Sequence, residues 1–369
     1  GLLLVLSSCS CHTGKQITAS GLQRKDFQTE VNGQHTDLFT LSNKQGMEVC
    51  ITNYGARVVS ILVPDRNGKR EDVVCGFSTI TEYMEQRQNF GSTVGRYIGR
   101  ILNARFTLDG VEYKLVPNNG KSGHISHGGN PGFADRIWKV EQADTHRVRL
   151  SYLSPDGENG FPGNLKVTLV YSLGEDDNAL DLTYEATTDA PTVLNLSHHS
   201  FFNISGNFTK SVEDQQLWVD ADRFTPYDDK KCVTGEYLQV AGTPLDFRMP
   251  HAIGECIDAD HPQLKVVNGY DHTWELNTKG DDTRPAAWVY DPASGRKMEI
   301  FTTEPGMQIY TGNGLKGKMT GKRGIAYPFR SAVCFETMHF QDSPNQPGFP
   351  STVLRPGEVF RSHTVYKFE

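Results

Sequence analysis

The sequence predicts an all-β protein, a large antiparallel β-sandwich with few short helices, and three observations carry that prediction. Apolar and polar residues alternate with a period of two over much of the chain, as strands with one buried face require. The chain's 36 glycines and 18 prolines punctuate those runs, as turns between strands demand. Helical periodicity is scarce, and strands do not alternate with helices, which disfavours a parallel α/β sheet.

Taken in chain order, Gly1-Leu-Leu-Leu-Val-Leu-Ser-Ser-Cys9 comes first. It is an apolar run too short to span a bilayer, and it ends in small residues before a cysteine, so it reads as the end of a secretory signal. Its Leu-Ser-Ser-Cys pattern is similar to a bacterial lipobox. The expectation is lipidation at Cys9 and a protein exported by a bacterium, periplasmic or anchored to a membrane. Residues 1–20 are assigned to this leader, and residues 21–369, where no linker or internal repeat appears, to a single β-sandwich domain.

A short helix is expected over Thr79–Arg87, because Thr79-Ile-Thr-Glu82 forms a capping box. Arg105–Leu115 carries Asp109-Gly110 between two alternating arms, a hairpin signal. Arg147–Leu153, Leu165–Tyr171 and Leu180–Tyr184 alternate and are rich in β-branched and aromatic residues, so they read as strands. Ala286 to Phe301 forms a second hairpin around Asp291-Pro-Ala-Ser-Gly295.

Asn195-Leu-Ser-His-His-Ser-Phe-Phe-Asn203 places two histidines side by side in a strand-like segment. Neighbouring side chains of a strand face opposite ways, so the two cannot serve one site unless the strand bulges. Leu194, Leu196, His198, Phe202 and Ile204 read as the core face. Asn195, Ser197, His199, Phe201 and Asn203 read as a polar, partly aromatic surface of a binding cleft.

Composition narrows the partners. The net charge of −7, with no polybasic block, gives no electrostatic footprint for nucleic acid and leaves a small neutral ligand as the expected partner. Seven widely spaced cysteines without a CxxC pair disfavour a structural zinc site or a disulfide scaffold. His124-Ile-Ser-His127 has the spacing of two helical metal ligands but sits among glycines, so no metal is assigned. Gly312-Asn-Gly-Leu-Lys-Gly-Lys318 has phosphate-loop glycines, yet Met319 stands where Ser or Thr is needed and no helix follows, so it reads as a plain loop.

The chemistry must come from residues dispersed in sequence. Glu336 lies in Ala332-Val-Cys-Phe-Glu-Thr-Met338, nearly apolar. A carboxylate stripped of water holds a proton more readily, which makes this position a candidate general base; a structural carboxylate is the bland alternative. Asp271 follows the turn signal Asn268-Gly269, where Asp is more often a turn former. Arg100 and Gln308 would each pass as ordinary surface residues.

Together, however, these segments resemble the aldose 1-epimerase, or galactose mutarotase, family from about Asp37 to the C-terminus. The segments that match, in order, are Asn53-Tyr-Gly-Ala with Pro64-Asp-Arg-Asn-Gly68, Gly95-Arg-Tyr-Ile-Gly-Arg-Ile101, His127-Gly-Gly with Gly132-Phe, and Ser154-Pro-Asp-Gly-Glu-Asn-Gly-Phe-Pro-Gly163. They continue through Asn195–Asn203, Asn268-Gly-Tyr-Asp-His272, Gly306-Met-Gln-Ile-Tyr-Thr-Gly-Asn313, Phe335-Glu-Thr337 and Leu354-Arg-Pro-Gly-Glu358. The resemblance implies a large antiparallel sandwich with an aldohexose bound in an open cleft, Glu336 as catalytic base, His199 as catalytic acid, and Arg100, His127, Asp271 and Gln308 holding the sugar. It implies acid–base ring opening with the two groups on opposite sides of the hemiacetal, and no redox, nucleotide or metal cofactor.

Two departures are visible. Gly99 precedes the site arginine and His198 the site histidine where many members carry Asn, so one sugar contact is expected to be lost or replaced. A noncatalytic sugar-binding protein on the same fold, and an epimerase of hexose phosphates, are the competing readings. The second would want a basic cluster for the phosphate.

Overall fold

The computed structural model describes residues 15–369; Cys9 and the apolar run before it lie outside them. Residues 15–20, assigned above to the leader, are folded against the body. The Glu48 carboxylate accepts the backbone N–H groups of Ala19 and Ser20 at 3.0 and 3.1 Å, and two buried carboxylate oxygens beside two free amides attract each other whatever the neighbouring composition.

The alternating segments form a nine-stranded antiparallel sheet. Its order is Lys139–Ala143, Arg147–Ser154, Leu165–Leu173, Ala179–Thr188, Phe360–Phe368, Lys297–Thr302, Ala287–Tyr290, Gln216–Val219 and His251–Ala252. The last of these strands in chain order, Phe360–Phe368, therefore stands fifth of nine. A six-stranded antiparallel sheet runs Phe201–Phe202, Val333–Met338, Gly306–Tyr310, Asp271–Glu275, Arg223–Thr225 and Leu238–Gln239. A four-stranded sheet carries Leu38–Ser42, Glu48–Thr52, Arg57–Pro64 and Arg70–Asp72.

Parity decides what each sheet buries. Leu169, Leu182, Ile300 and Tyr366 of the nine-stranded sheet share one apolar cluster with Trp274, Ile309, Val333 and Phe335 of the six-stranded sheet. The two sheets thus pack face to face, the sandwich that the alternation predicts. In the six-stranded sheet the residues of opposite parity, Asp271, Gln308, Cys334 and Glu336, face away from that core. They are covered in their turn, so Val333–Met338 is buried throughout.

Both predicted hairpins form, and Asp109 and Gly110 turn the first with φ of +52° and +78°, the left-handed pair that a two-residue hairpin loop requires. The helix spans Ile80–Gln86, with the capping box closed between Thr79 and Glu82. A second helix, Pro262–Val267, was not expected. Six residues are too few to show a 3.6-residue period, and its start signal is unusual: the His261 imidazole accepts the Gln263 N–H, and Pro262 between them has no N–H that needs an acceptor.

The paired-histidine segment is two short strands and not one. Ser197–His198 pairs with Thr93–Val94, Phe201–Phe202 with Val333 and Cys334, and His199 and Ser200 lie between. The separation of faces holds for the histidines. His198 is enclosed beside Tyr171 and Tyr366, whereas His199 stacks on Phe201 with centroids 5.1 Å apart. It does not hold for Asn195, Ser197 and Asn203, expected on the cleft. All three are buried and bond backbone instead: Asn195 brackets His339, Ser197 donates to the Thr337 carbonyl, and Asn203 donates to the Ser331 carbonyl. Extended backbone leaving a sheet has unpaired polar groups to satisfy, and these side chains satisfy them at both ends of the strand that carries Glu336.

Candidate active site

The six-stranded sheet lays out the site as a row. Glu336 lies directly opposite Gln308, and Gln308 directly opposite Thr273. Asp271 is two residues before Thr273, hence on the same face. The Thr273 hydroxyl donates to the Gln308 carbonyl oxygen at 2.5 Å, and the Gln308 amide donates to Asp271 Oδ1 at 2.8 Å. Because an ionised carboxylate can only accept, this contact fixes which end of the Gln308 side chain is which.

Asp271 is positioned by local chemistry that reads from the sequence in hindsight. Asn268, at φ of +58°, caps the helix Pro262–Val267 in the left-handed conformation, and Asp271 then opens its strand instead of forming the turn. Burial first, and the neighbouring Glu336 charge with it, pushes its carboxyl up to about 6, against the Gln308 hydrogen bond, which favours the charged form.

The second wall comes from the Gly95–Ile101 segment. The buried Arg96 guanidinium binds oxygens of Ser154, Pro155, Pro162, Gly163 and Thr192, so it ties two of the matching segments together and takes no part in the cavity. Arg100 pairs with Ser126, and its Nη1 donates to the Lys231 carbonyl at 2.5 Å. His127 follows at φ of +51°. Its Nδ1 accepts the Gly99 N–H at 3.2 Å, which leaves Nε2 to carry the proton. Burial, with the neighbouring His199 and Arg100 adding to it, pushes this imidazole down to about 4, so it is a neutral donor at physiological pH.

His199 and Glu336 meet at the floor. His199 Nε2 lies 2.5 Å from Glu336 Oε1, both side chains buried, and His127 approaches His199 edge-on with centroids 5.4 Å apart. The contact is not a well-directed hydrogen bond: among the described residues Glu336 Oε1 and His199 Nδ1 have no hydrogen-bond partner. Two buried groups able to exchange protons are thus left with unused capacity. They stand side by side because one rides on the Val333–Met338 strand and the other on the turn next to it.

All six expected positions, Arg100, His127, His199, Asp271, Gln308 and Glu336, line one cavity of about 570 Å³, of a size suited to a small polar ligand. Sequence reasoning missed Tyr227 and Gln341, which line it too. Tyr227 follows Thr225 by the strand period, which was its one signal, while Gln341 comes from a loop and gave none. Among the described residues no three His, Cys, Asp or Glu side chains group as metal ligands. His124 and His127 diverge: His124 Nε2 meets Cys232 Sγ at 3.3 Å, outside the wall that His127 forms.

The chain is similar to known proteins over most of its length. The family model described as aldose 1-epimerase matches residues 37–367. A galactose mutarotase of Bos taurus is 40% identical over 331 residues, covering 89% of this chain and 93% of the relative. The aldose 1-epimerase of Escherichia coli K12 is 36% identical over 340 residues, covering 91% and 96%. A solved aldose epimerase homologue from C. elegans superposes with a TM-score of 0.83 at 31% identity, covering 90% of this chain and 99% of its own.

Proposed function

The chain belongs to the aldose 1-epimerase family, an isomerase that interconverts the α and β anomers of a free hexose, and from that premise we propose that Glu336 is its base and His199 its acid. The observation that carries the assignment is the buried contact between these two side chains, each with an atom that has no hydrogen-bond partner among the described residues. The Glu336 carboxylate takes the proton of the C1 hydroxyl while the His199 imidazolium gives one to the ring oxygen. The bond from C1 to the ring oxygen breaks and an open-chain aldehyde forms. After rotation about C1–C2, the C5 hydroxyl attacks the aldehyde and returns its proton to the imidazole, and Glu336 returns the other to O1.

Arg100, His127, Asp271 and Gln308 hold the sugar hydroxyls in this reading. The ionised Asp271 accepts, the His127 Nε2–H and the Arg100 guanidinium donate, and such directional contacts suit a hydroxyl-rich ligand. Polarimetry on freshly dissolved α-galactose and α-glucose tests it. The chain should bring rotation to equilibrium faster than buffer, and Glu336→Gln should lose about two to four orders of magnitude of that rate. A variant as fast as the parent would move the base elsewhere.

We also propose export and lipid anchoring through Cys9, supported by the Leu-Ser-Ser-Cys pattern after an apolar run. Expressed in a bacterial host, the chain should partition with membranes and Cys9→Ser should stay in the soluble fraction with its activity intact. Unprocessed chain in the cytosol would end the idea.

A further inference from the structure

The hydroxyl of Tyr227 lies in the cavity under an unusual constraint. Gln341 Nε2 donates to it at 2.8 Å and Gln308 Nε2 at 3.3 Å. Neither amide can be turned round to accept from the phenol instead. The Gln308 amide nitrogen is fixed by the carboxylate of Asp271, and Gln341 Oε1 accepts the backbone N–H of Arg100 at 3.2 Å, so its nitrogen must point to Tyr227. The phenol oxygen therefore accepts twice, and among the described residues no acceptor takes its own hydrogen. Burial raises the Tyr227 phenol well above its usual range, with the Asp271 charge adding to it, so that hydrogen stays on the oxygen. Tyr227 is only 7% exposed, and it lines the cavity together with both glutamines that bond its hydroxyl.

Gln341 holds this position because of an absence elsewhere. Gly99 has φ of +76°, and a Cβ on it would come within 2.5 Å of Gln341 Cγ. The space beside Arg100 that a side chain at 99 would claim is taken by the Gln341 stem. Tyr97 fixes the same loop from behind, donating to the Phe340 carbonyl at 2.8 Å and accepting the Ser343 N–H. Glycine at 99, glutamine at 341 and tyrosine at 227 thus form one arrangement that ends in a single free O–H.

We propose that Tyr227 is a further substrate-binding residue, its hydroxyl donating to one sugar hydroxyl oxygen and thereby setting part of the preference among aldohexoses. The proposal rests on the sugar-site reading above. Within the site the donor complements Asp271, which can only accept while ionised. A sugar hydroxyl that gives its hydrogen to the carboxylate can receive another from a neighbouring phenol, and the Asp271–Gln308–Tyr227 chain already sets the two a single amide apart.

Tyr227→Phe keeps the ring and its packing against His272 and removes only the oxygen. KM should rise about three- to tenfold, the cost of one neutral hydrogen bond, with a much smaller change in kcat. A merely structural role could raise KM too, so the deciding measurement is a panel of monodeoxy glucose and galactose analogues with parent and variant. One analogue should be penalised with the parent and not penalised further with Tyr227→Phe; the remaining analogues should keep their parent penalties. Gln341→Ala, which frees the phenol to rotate, should weaken the same position in the same direction. Equal penalties at every position in all three proteins would overturn the proposal while leaving the mutarotase reading intact. A parent without activity on any aldose would instead remove the reading on which the proposal stands.

Discussion

The paired histidines separate chemistry from packing. His199→Asn should lower turnover by about two orders of magnitude or more. His198→Asn should lower the melting temperature and leave turnover far less affected, because the His198 ring sits in the core with Nε2 at 2.5 Å from the Ser200 hydroxyl. Rates and melts on both variants check the pair; turnover collapsing for His198 alone would reverse the assignment. Asp271 gives a second test. If its ionised form receives the sugar, kcat/KM should rise with pH through a midpoint near 6, where burial has set that carboxyl, and Asp271→Asn should flatten the limb as it lowers the rate. The histidine faces could be read from the strand period, since inversion of neighbouring side chains survives a break in pairing. Gln341 could not, because it reaches the cavity from a loop whose path depends on distant partners.

At the scale of elements, local signals were legible wherever one turn of chain contained the whole cause. The helix Ile80–Gln86 has its start written in Thr79 and Glu82, which exchange both hydrogen bonds; Thr79→Ala should cost about 1 kcal/mol in denaturant unfolding, the usual worth of such a cap. The short helix Pro262–Val267 was illegible because its cap is a histidine. Charges between strands were illegible too. His363 on Phe360–Phe368 lies between Asp181 on the neighbouring strand and Asp282, and the Asp181 hydrogen bond, with help from Asp282, raises its imidazole to about 9. A group raised in the folded state gives stability that is complete below its unfolded value of about 6.5 and is lost as pH rises through 9. Part of this is screened, since the pair is partly exposed. The melting temperature should decline across pH 6.5 to 9, and His363→Gln should remove most of the decline.

Over the whole molecule buried imidazoles contribute to the loss of stability on the acid side. Burial lowers His198 and His272 to about 3 and His127 to about 4, so each gives stability that is present above about 6.5 and is lost as pH falls. Asp271, raised to about 6, works the other way and contributes below its unfolded value. Near pH 5, unfolding should therefore take up about three protons at the histidines and release about one at Asp271, a net uptake of about two from these four groups. Calorimetry in buffers of different ionisation enthalpy measures it. The sandwich itself was legible from alternation, but the order of its strands was not, since any buried strand shows the same pattern wherever it stands. That order carries a consequence for how the protein is made. The strand Phe360–Phe368 fills the middle of the nine-stranded sheet, between Ala179–Thr188 and Lys297–Thr302. A nascent chain emerging from the ribosome must therefore hold two partial sheets apart, each with a bare edge open to foreign pairing, until its final strand arrives to join them. The seam cannot close before residues 360–368 have left the ribosome, which makes that interval, and not the finished fold, the stage most exposed to foreign pairing.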